Sequence, residues 1–108
     1  MNKSIDEIDF EKSGGLVPVI VQDANTKDVL TLAYTNKESL ELAKKTGNSW
    51  FWSRSRNKLW MKGEESGNTQ KIIQILVDCD SDAIIYLVEP SGPACHTGQK
   101  VCFHNELN

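Results

Sequence analysis

Two β-branched runs, "KIIQILV" (71–77) and "AIIYLVEP" (83–90), face each other across "DCDSD". Each run is too short for a buried helix and is rich in residues that suit a pleated, half-buried surface. The aspartates and serine between them are turn formers. A β-hairpin is therefore predicted, and in a chain of 108 residues it commits much of the only core to sheet. The unusual part is the tip, where three carboxylates and a thiol sit between the most apolar stretches of the chain.

The other segments extend this pattern. "GLVPVIVQD" and "DVLTLAYTN" read as strands joined by the turn-rich "DANTKD". "NKESLELAKKTG" reads as a short helix: Asn36 is a suitable N-cap, Glu38 lies in the first turn, Lys44 and Lys45 in the last, and Gly47 ends it. "SWFWSRSRNKLWMKG" reads as two strands around a polar turn, "EESGNTQ" as a loop, and "SGPACHTGQKVCFHNELN" as an irregular tail. The prediction is a single β-rich α+β domain over residues 1–108. It has a small mixed or antiparallel sheet and one or two short helices, with residues 1–14 a loosely attached N-terminal segment.

No apolar run reaches the eighteen or so residues of a membrane span, and the N-terminus lacks a signal-peptide core. A cytoplasmic protein without a membrane partner is expected. The net charge of −3 argues against a nucleic-acid partner. Charge is uneven, however: six of the twelve basic residues and no acidic one lie between Lys44 and Lys62. That strip reads either as a solvated face or as a local phosphate pocket. Within "SRSRNKLWMKGEESGN", guanidinium groups suit bidentate phosphate contacts and glycine-bearing loops offer backbone amides. Trp50, Trp52 and Trp60 are ordinary core candidates, or one of them stacks on a base.

At positions i, i+2 and i+4 of a strand, Asp78, Asp80 and Asp82 project from one face. Without nearby lysines they repel, and a hard divalent cation such as Mg²⁺ relieves the repulsion. A solvated turn is the plainer reading. An EF-hand is rejected, because Ala83 stands where its glycine belongs and the flanks read as strands. Cys79 then points away from the aspartates. Since thiolates favour zinc and all-oxygen sites favour magnesium, two metal sites back to back are suggested.

Three cysteines, Cys79, Cys95 and Cys102, are an odd number that excludes a complete set of internal disulfides. Three thiolates leave a tetrahedral zinc one open position, the arrangement of a catalytic site. A closed Cys₃His site using His96 or His104 is the rival, and spacing alone leaves the two open. A histidine beside a zinc ligand, as His96 is beside Cys95, is a candidate for proton transfer.

Taken together, "FWSRSRNKLWMKGEESGNTQ", "VDCDSD" and "SGPACHTGQKVCF" closely resemble the phosphoribosyl-AMP cyclohydrolase family, as does the upstream "LTLAYTNKESL". The likeness runs over roughly residues 15 to 104. It implies hydrolysis of the N1–C6 bond of the adenine ring in phosphoribosyl-AMP, the third step of histidine biosynthesis. It also implies zinc on Cys79, Cys95 and Cys102, magnesium on Asp78, Asp80 and Asp82, and an intertwined homodimer with shared active sites. On this resemblance zinc-bound hydroxide attacks C6 and His96 moves the protons. Ser53, Arg54, Arg56, Lys62, Ser66, Gly67 and Asn68 hold phosphates and ribose. Glu65 departs from the family's usual threonine, Pro90 from a frequent glutamine and Val101 from a serine; none removes a metal ligand. Some members carry a fused phosphoribosyl-ATP pyrophosphatase, an activity not expected in this chain, which ends at Asn108. Two rivals stand beside this reading: a structural-zinc module binding a nucleotide or RNA, and a thiol redox protein.

Overall fold

A computed structural model describes residues 2–108. The main sheet has four strands in the order β2-β1-β6-β5: β1 (Val17–Asp23), β2 (Val29–Thr35), β5 (Gln70–Val77) and β6 (Ile84–Pro90). β3 (Trp50–Ser53) and β4 (Lys58–Met61) form a separate antiparallel hairpin, and α1 (Lys37–Thr46) connects β2 to β3. This is the β-rich α+β architecture that the sequence predicts. Two 3₁₀ turns, Ile5–Glu7 and Glu11–Ser13, precede the sheet.

The mixed character comes from one pairing. β1 and β2 are antiparallel, as are β5 and β6, but β1 and β6 lie side by side in parallel, Val19 opposite Ile84 and Asp23 opposite Val88. The two inner strands are the most buried, each with one face turned to the core and a paired strand along both edges. Val17, Val19 and Val21 alternate into the core from β1, and Ile84, Tyr86 and Val88 do so from β6. Pro18 is tolerated in an inner strand because β6 pairing begins only at Val19, so its missing N–H costs no ladder bond on that side. β5, at the edge, bulges between Ile72 and Gln74, and the intervening Ile73 is 50% exposed.

Helix α1 is bounded as its sequence dictates. The Asn36 side chain accepts from the Ser39 amide at 2.8 Å, Ser39 Oγ accepts from the Asn36 amide at 2.9 Å, and Gly47 ends the helix at φ 76°. Its buried Leu40 and Ala43 join the core beside Phe51, the fully buried aromatic of β3. The three tryptophans are only half-buried. Tyr86 stitches the two sheets together, its hydroxyl donating to the Trp50 carbonyl at 3.1 Å.

The N-terminal segment, expected to hang loosely, contributes Ile8 to the core at 7% exposure. The Asp9 amide also donates to the Ser81 carbonyl at 2.8 Å.

Candidate active site

The topology separates the chemistry-bearing residues into two groups. The β5–β6 turn lies where β6 begins, beside the start of β1. The β1–β2 turn, the end of β6 and the C-terminal tail lie at the far end of β1. At about 3.3 Å per residue, the seven residues of β1 separate these ends by roughly 20 Å.

The first group is the aspartate turn. One oxygen from each of Asp78, Asp80 and Asp82 lies within 4.8 Å of the other two. Strand alternation is not what brings them together, since residues 78–83 are outside both strands. Instead Asp78 Oδ1 accepts from the backbone amides of Asp82 (2.9 Å) and Ala83 (3.2 Å), and Ser81 adopts φ 63°. The turn thus folds onto Asp78 and gathers the other two carboxylates above it. Three convergent carboxylate oxygens are a donor set that fits magnesium.

The aspartates are not without a lysine. The Lys12 ammonium donates to Asp82 Oδ2 at 2.7 Å and lies 3.6 Å from Asp80 Oδ2. That bond, with hydrogen bonds inside the cluster, holds the Asp82 carboxyl down at about 2. Asp80 is pushed the other way by its carboxylate neighbours Asp82 and Asp78. The Lys3 ammonium grips the same turn from the other side, donating to the carbonyls of Asp78 (3.2 Å) and Cys79 (3.0 Å) and to Ser81 Oγ (2.7 Å). Cys79 is exposed at this tip.

The second group is in the tail. Residues 94–100 fold back on themselves: the Ala94 amide donates to the Lys100 carbonyl (3.1 Å) and the Cys95 amide to the Gln99 carbonyl (3.2 Å). Lys100 anchors the fold to Asp28 at 2.8 Å and Asp23 at 3.5 Å, and the Cys102 amide donates to the Leu30 carbonyl at 2.7 Å. Buried Cys95 has its sulfur 3.0 Å from Thr97 Oγ1 and 3.8 Å from His104 Nε2. Hydrogen bonds from the Thr97 hydroxyl and amide, then from His104, lower its thiol to about 6. The shift favours the thiolate, the form that ligates zinc. His96 is exposed next to it.

Part of the predicted substrate surface joins this second group. In the loop of residues 66–68, the Asn68 amide donates to Ser66 Oγ at 3.2 Å. The adjacent Thr69 carbonyl accepts from the Ser91 amide at 2.8 Å, and Thr69 and Ser91 hydroxyls meet at 3.1 Å. A Cβ at Gly63 would lie 2.5 Å from the Asn68 backbone carbon, and one at Gly92 would overlap the Asn68 side chain. Gly63 lets the loop close on its own backbone, and Gly92 lets the Asn68 side chain seat against the segment leading to Cys95. Arg54 and Arg56 lie elsewhere, at the tip of the β3–β4 hairpin. The Arg54 guanidinium stacks 3.8 Å from the Tyr34 ring centroid, and the Arg56 amide donates to Ser53 Oγ at 3.2 Å. Lys62 is half-buried after β4, with its amide on the Ser49 carbonyl at 2.9 Å.

The structure therefore brings Asp78, Asp80 and Asp82 together, and Cys95 and Cys102 onto one tail. Among the described residues it does not bring Cys79 to the other two cysteines. Sequence reasoning missed Lys3, Lys12, Thr97 and Lys100. A side chain 70 residues away, as Lys12 is from Asp82, leaves no local signal. Thr97, two residues from Cys95, was readable as a hydroxyl beside a thiol.

Fold and site together define a small α+β domain with a cluster of three carboxylates at one end and a hydrogen-bonded thiol beside a glycine-bearing polar loop at the other. The phosphoribosyl-AMP cyclohydrolase family model matches residues 31–104, which span every candidate site residue. A phosphoribosyl-AMP cyclohydrolase of Nitrosopumilus maritimus (strain SCM1) is 87% identical over 107 residues, 99% of each chain. One of Cenarchaeum symbiosum (strain A) is 77% identical over the same length, again 99% of each. A histidine biosynthesis bifunctional protein of Bacillus subtilis (strain 168) is 60% identical over 96% of this chain and 49% of its own length. The chain belongs to the phosphoribosyl-AMP cyclohydrolase family, a family of enzymes.

Proposed function

We propose that this protein hydrolyses the N1–C6 bond of the adenine ring in 1-(5-phosphoribosyl)-AMP, a step of histidine biosynthesis, as a homodimer whose active sites draw on both chains. Family membership across the segment that holds all the candidate residues carries this reading. The geometry supports it in two ways. The Cys95 sulfur meets the Thr97 hydroxyl at 3.0 Å in a polar tail, and the loop of residues 66–68 is seated against the same segment.

Cys79, Cys95 and Cys102 would hold zinc, and Asp78, Asp80 and Asp82 magnesium. When bound, zinc supplies the Lewis acidity that brings the pKa of water from near 16 to about 7. In the reaction, water oxygen adds to C6, the N1–C6 bond breaks, N1 takes a proton, and the former C6 with its amino nitrogen becomes a carboxamide. His96 takes the proton from water or delivers one to N1. Its exposed position next to Cys95 leaves the ring free to meet substrate. Ser66, Gly67 and Asn68 hold phosphate or ribose beside it. Ser53, Arg54, Arg56 and Lys62 form a second basic surface for the other phosphate.

The separation along β1 supports the dimer. A second copy placed with its ends reversed brings one chain's Cys79 and aspartates to the other's Cys95 and Cys102. Apolar side chains available to such an interface include Ile73 and Leu76 on β5, 50% and 38% exposed, and Phe103 at 62%.

The test is to incubate zinc- and magnesium-loaded protein with phosphoribosyl-AMP and follow ring opening by ultraviolet absorbance. Product formation that is lost in Cys79→Ala is expected. Absence of product, with Cys79→Ala indistinguishable from wild type, refutes the proposal.

A further inference from the structure

The aspartate turn is enclosed by the N-terminal segment, and the enclosure is specific in where it places charge. Three contacts fix the segment around the turn. Ile8 is buried in the core, the Asp9 amide donates to the Ser81 carbonyl at 2.8 Å, and Lys3 donates to the carbonyls of Asp78 and Cys79 and to Ser81 Oγ. None of these touches a carboxylate. Among the described residues Lys12 alone does, with its ammonium 2.7 Å from Asp82 Oδ2 and 3.6 Å from Asp80 Oδ2. It reaches them from the second 3₁₀ turn, Glu11–Ser13, whose start is fixed by the Lys12 amide donating to Asp9 Oδ1 at 3.1 Å. The contact is half-exposed, with the Lys12 side chain at 52%. An exposed ion pair of this kind is weak and exchangeable, unlike a buried one.

We propose that Lys12 is the resident counter-cation of the aspartate turn and that a divalent cation binds by displacing it, so the N-terminal segment sets the turn's metal affinity. The proposal rests on the assignment of magnesium to Asp78, Asp80 and Asp82 made above. One ammonium and one divalent ion compete for the same oxygens of Asp80 and Asp82. Displacement frees the Lys12 side chain while Lys3, Asp9 and Ile8 keep the segment docked. The carboxylates are thus kept from mutual repulsion when no metal is bound, and the cation binds more weakly than three bare carboxylates would allow. Lys12 is a positioning residue here and is assigned no contact with substrate.

The test uses zinc-loaded, magnesium-free protein titrated with Mn²⁺, with free Mn²⁺ read by electron paramagnetic resonance and no substrate present. Lys12→Met is expected to bind Mn²⁺ about three- to fivefold more tightly than wild type, within the range that loss of an exposed ion pair allows. Lys12→Arg, which keeps the charge, is expected to stay within about twofold of wild type. Added NaCl should narrow the gap between wild type and Lys12→Met, since screening weakens the competing pair. Equal or weaker affinity in Lys12→Met, with binding still abolished by Asp80→Asn, overturns the counter-cation role and leaves the magnesium assignment standing. Binding that Asp80→Asn does not affect, or no binding at all, overturns both.

Discussion

The most informative perturbation separates the three cysteines genetically. Cys79 sits at the β5–β6 turn and Cys102 at the opposite end of β1, where its amide bonds the Leu30 carbonyl. A seven-residue strand lies between these ends, roughly 20 Å when extended. Zinc–sulfur bonds are only about 2.3 Å long, so on the proposed assignment of zinc to all three cysteines a separation of this size calls for a site shared between chains. A two-fold dimer with reciprocal contacts can, with Cys79 from one chain and Cys95 and Cys102 from the other in each of two sites. Cys79→Ser and Cys102→Ser should each be inactive alone. Co-folded in equal amounts, roughly half the dimers are mixed, and each mixed dimer has one site with all three thiols and one with only Cys95, so about a quarter of wild-type activity returns. The converse mixture is equally sharp. Wild type co-folded with the Cys79→Ser/Cys102→Ser double variant keeps about a quarter of full activity if sites are shared, and about half if each chain carries its own. The assay is ring opening at saturating zinc, with mass spectrometry of the intact dimers to verify mixing. No recovery in the first mixture, or half-activity in the second, refutes the shared site and with it the reading of β1 as a spacer.

Other expectations concern single residues. His96→Ala should retain one zinc per active site by metal analysis and lose about 10²- to 10⁴-fold in turnover, the usual range for a removed proton-transfer group; loss of zinc would make His96 a ligand. Asn36→Ala removes the α1 N-cap and should lower stability by about 1 kcal/mol in urea unfolding. Phe51→Ala, at a fully buried site, should lower it by about 3–5 kcal/mol. For acid unfolding, the Asp82 carboxyl is lowered from 3.8 to about 2, first by Lys12 and then by its hydrogen bonds with Asp78 and Asp80. A depressed carboxyl stabilises the fold above its unfolded value and loses that effect as pH falls through its folded value. Urea midpoints should therefore fall between about pH 4 and pH 2, and fall less steeply in Lys12→Met. Identical pH profiles would show that the pair contributes nothing.

The elements were legible because their determinants are local. Asn36, Ser39 and Gly47 bound α1 within one sequence window, and the β-branched runs around "DCDSD" pair with each other across a short turn. The thiols and carboxylates were recognisable by residue type. Spacing did not explain how the aspartates converge, since Asp78 accepts amides inside a turn and strand alternation plays no part. Nor did it reveal Lys12 on Asp82, the hydroxyl and imidazole beside the Cys95 sulfur, or the seating of Asn68 against Gly63 and Gly92.

By itself, then, the sequence determined that this is a small β-rich domain with the cysteines and aspartates of a cyclohydrolase, because periodicity, capping and ligand chemistry are carried by residues near one another in the chain. The tertiary structure decided which of those residues share a place. The parallel pairing of β1 with β6 is a long-range contact that no local pattern encodes. It sends the "DCDSD" turn to one end of the sheet and Cys95 and Cys102 to the other. The division of labour first suggested by Cys79 lying between aspartates is thus a separation along a strand, and it is this separation that motivates the proposal of a site shared between two chains.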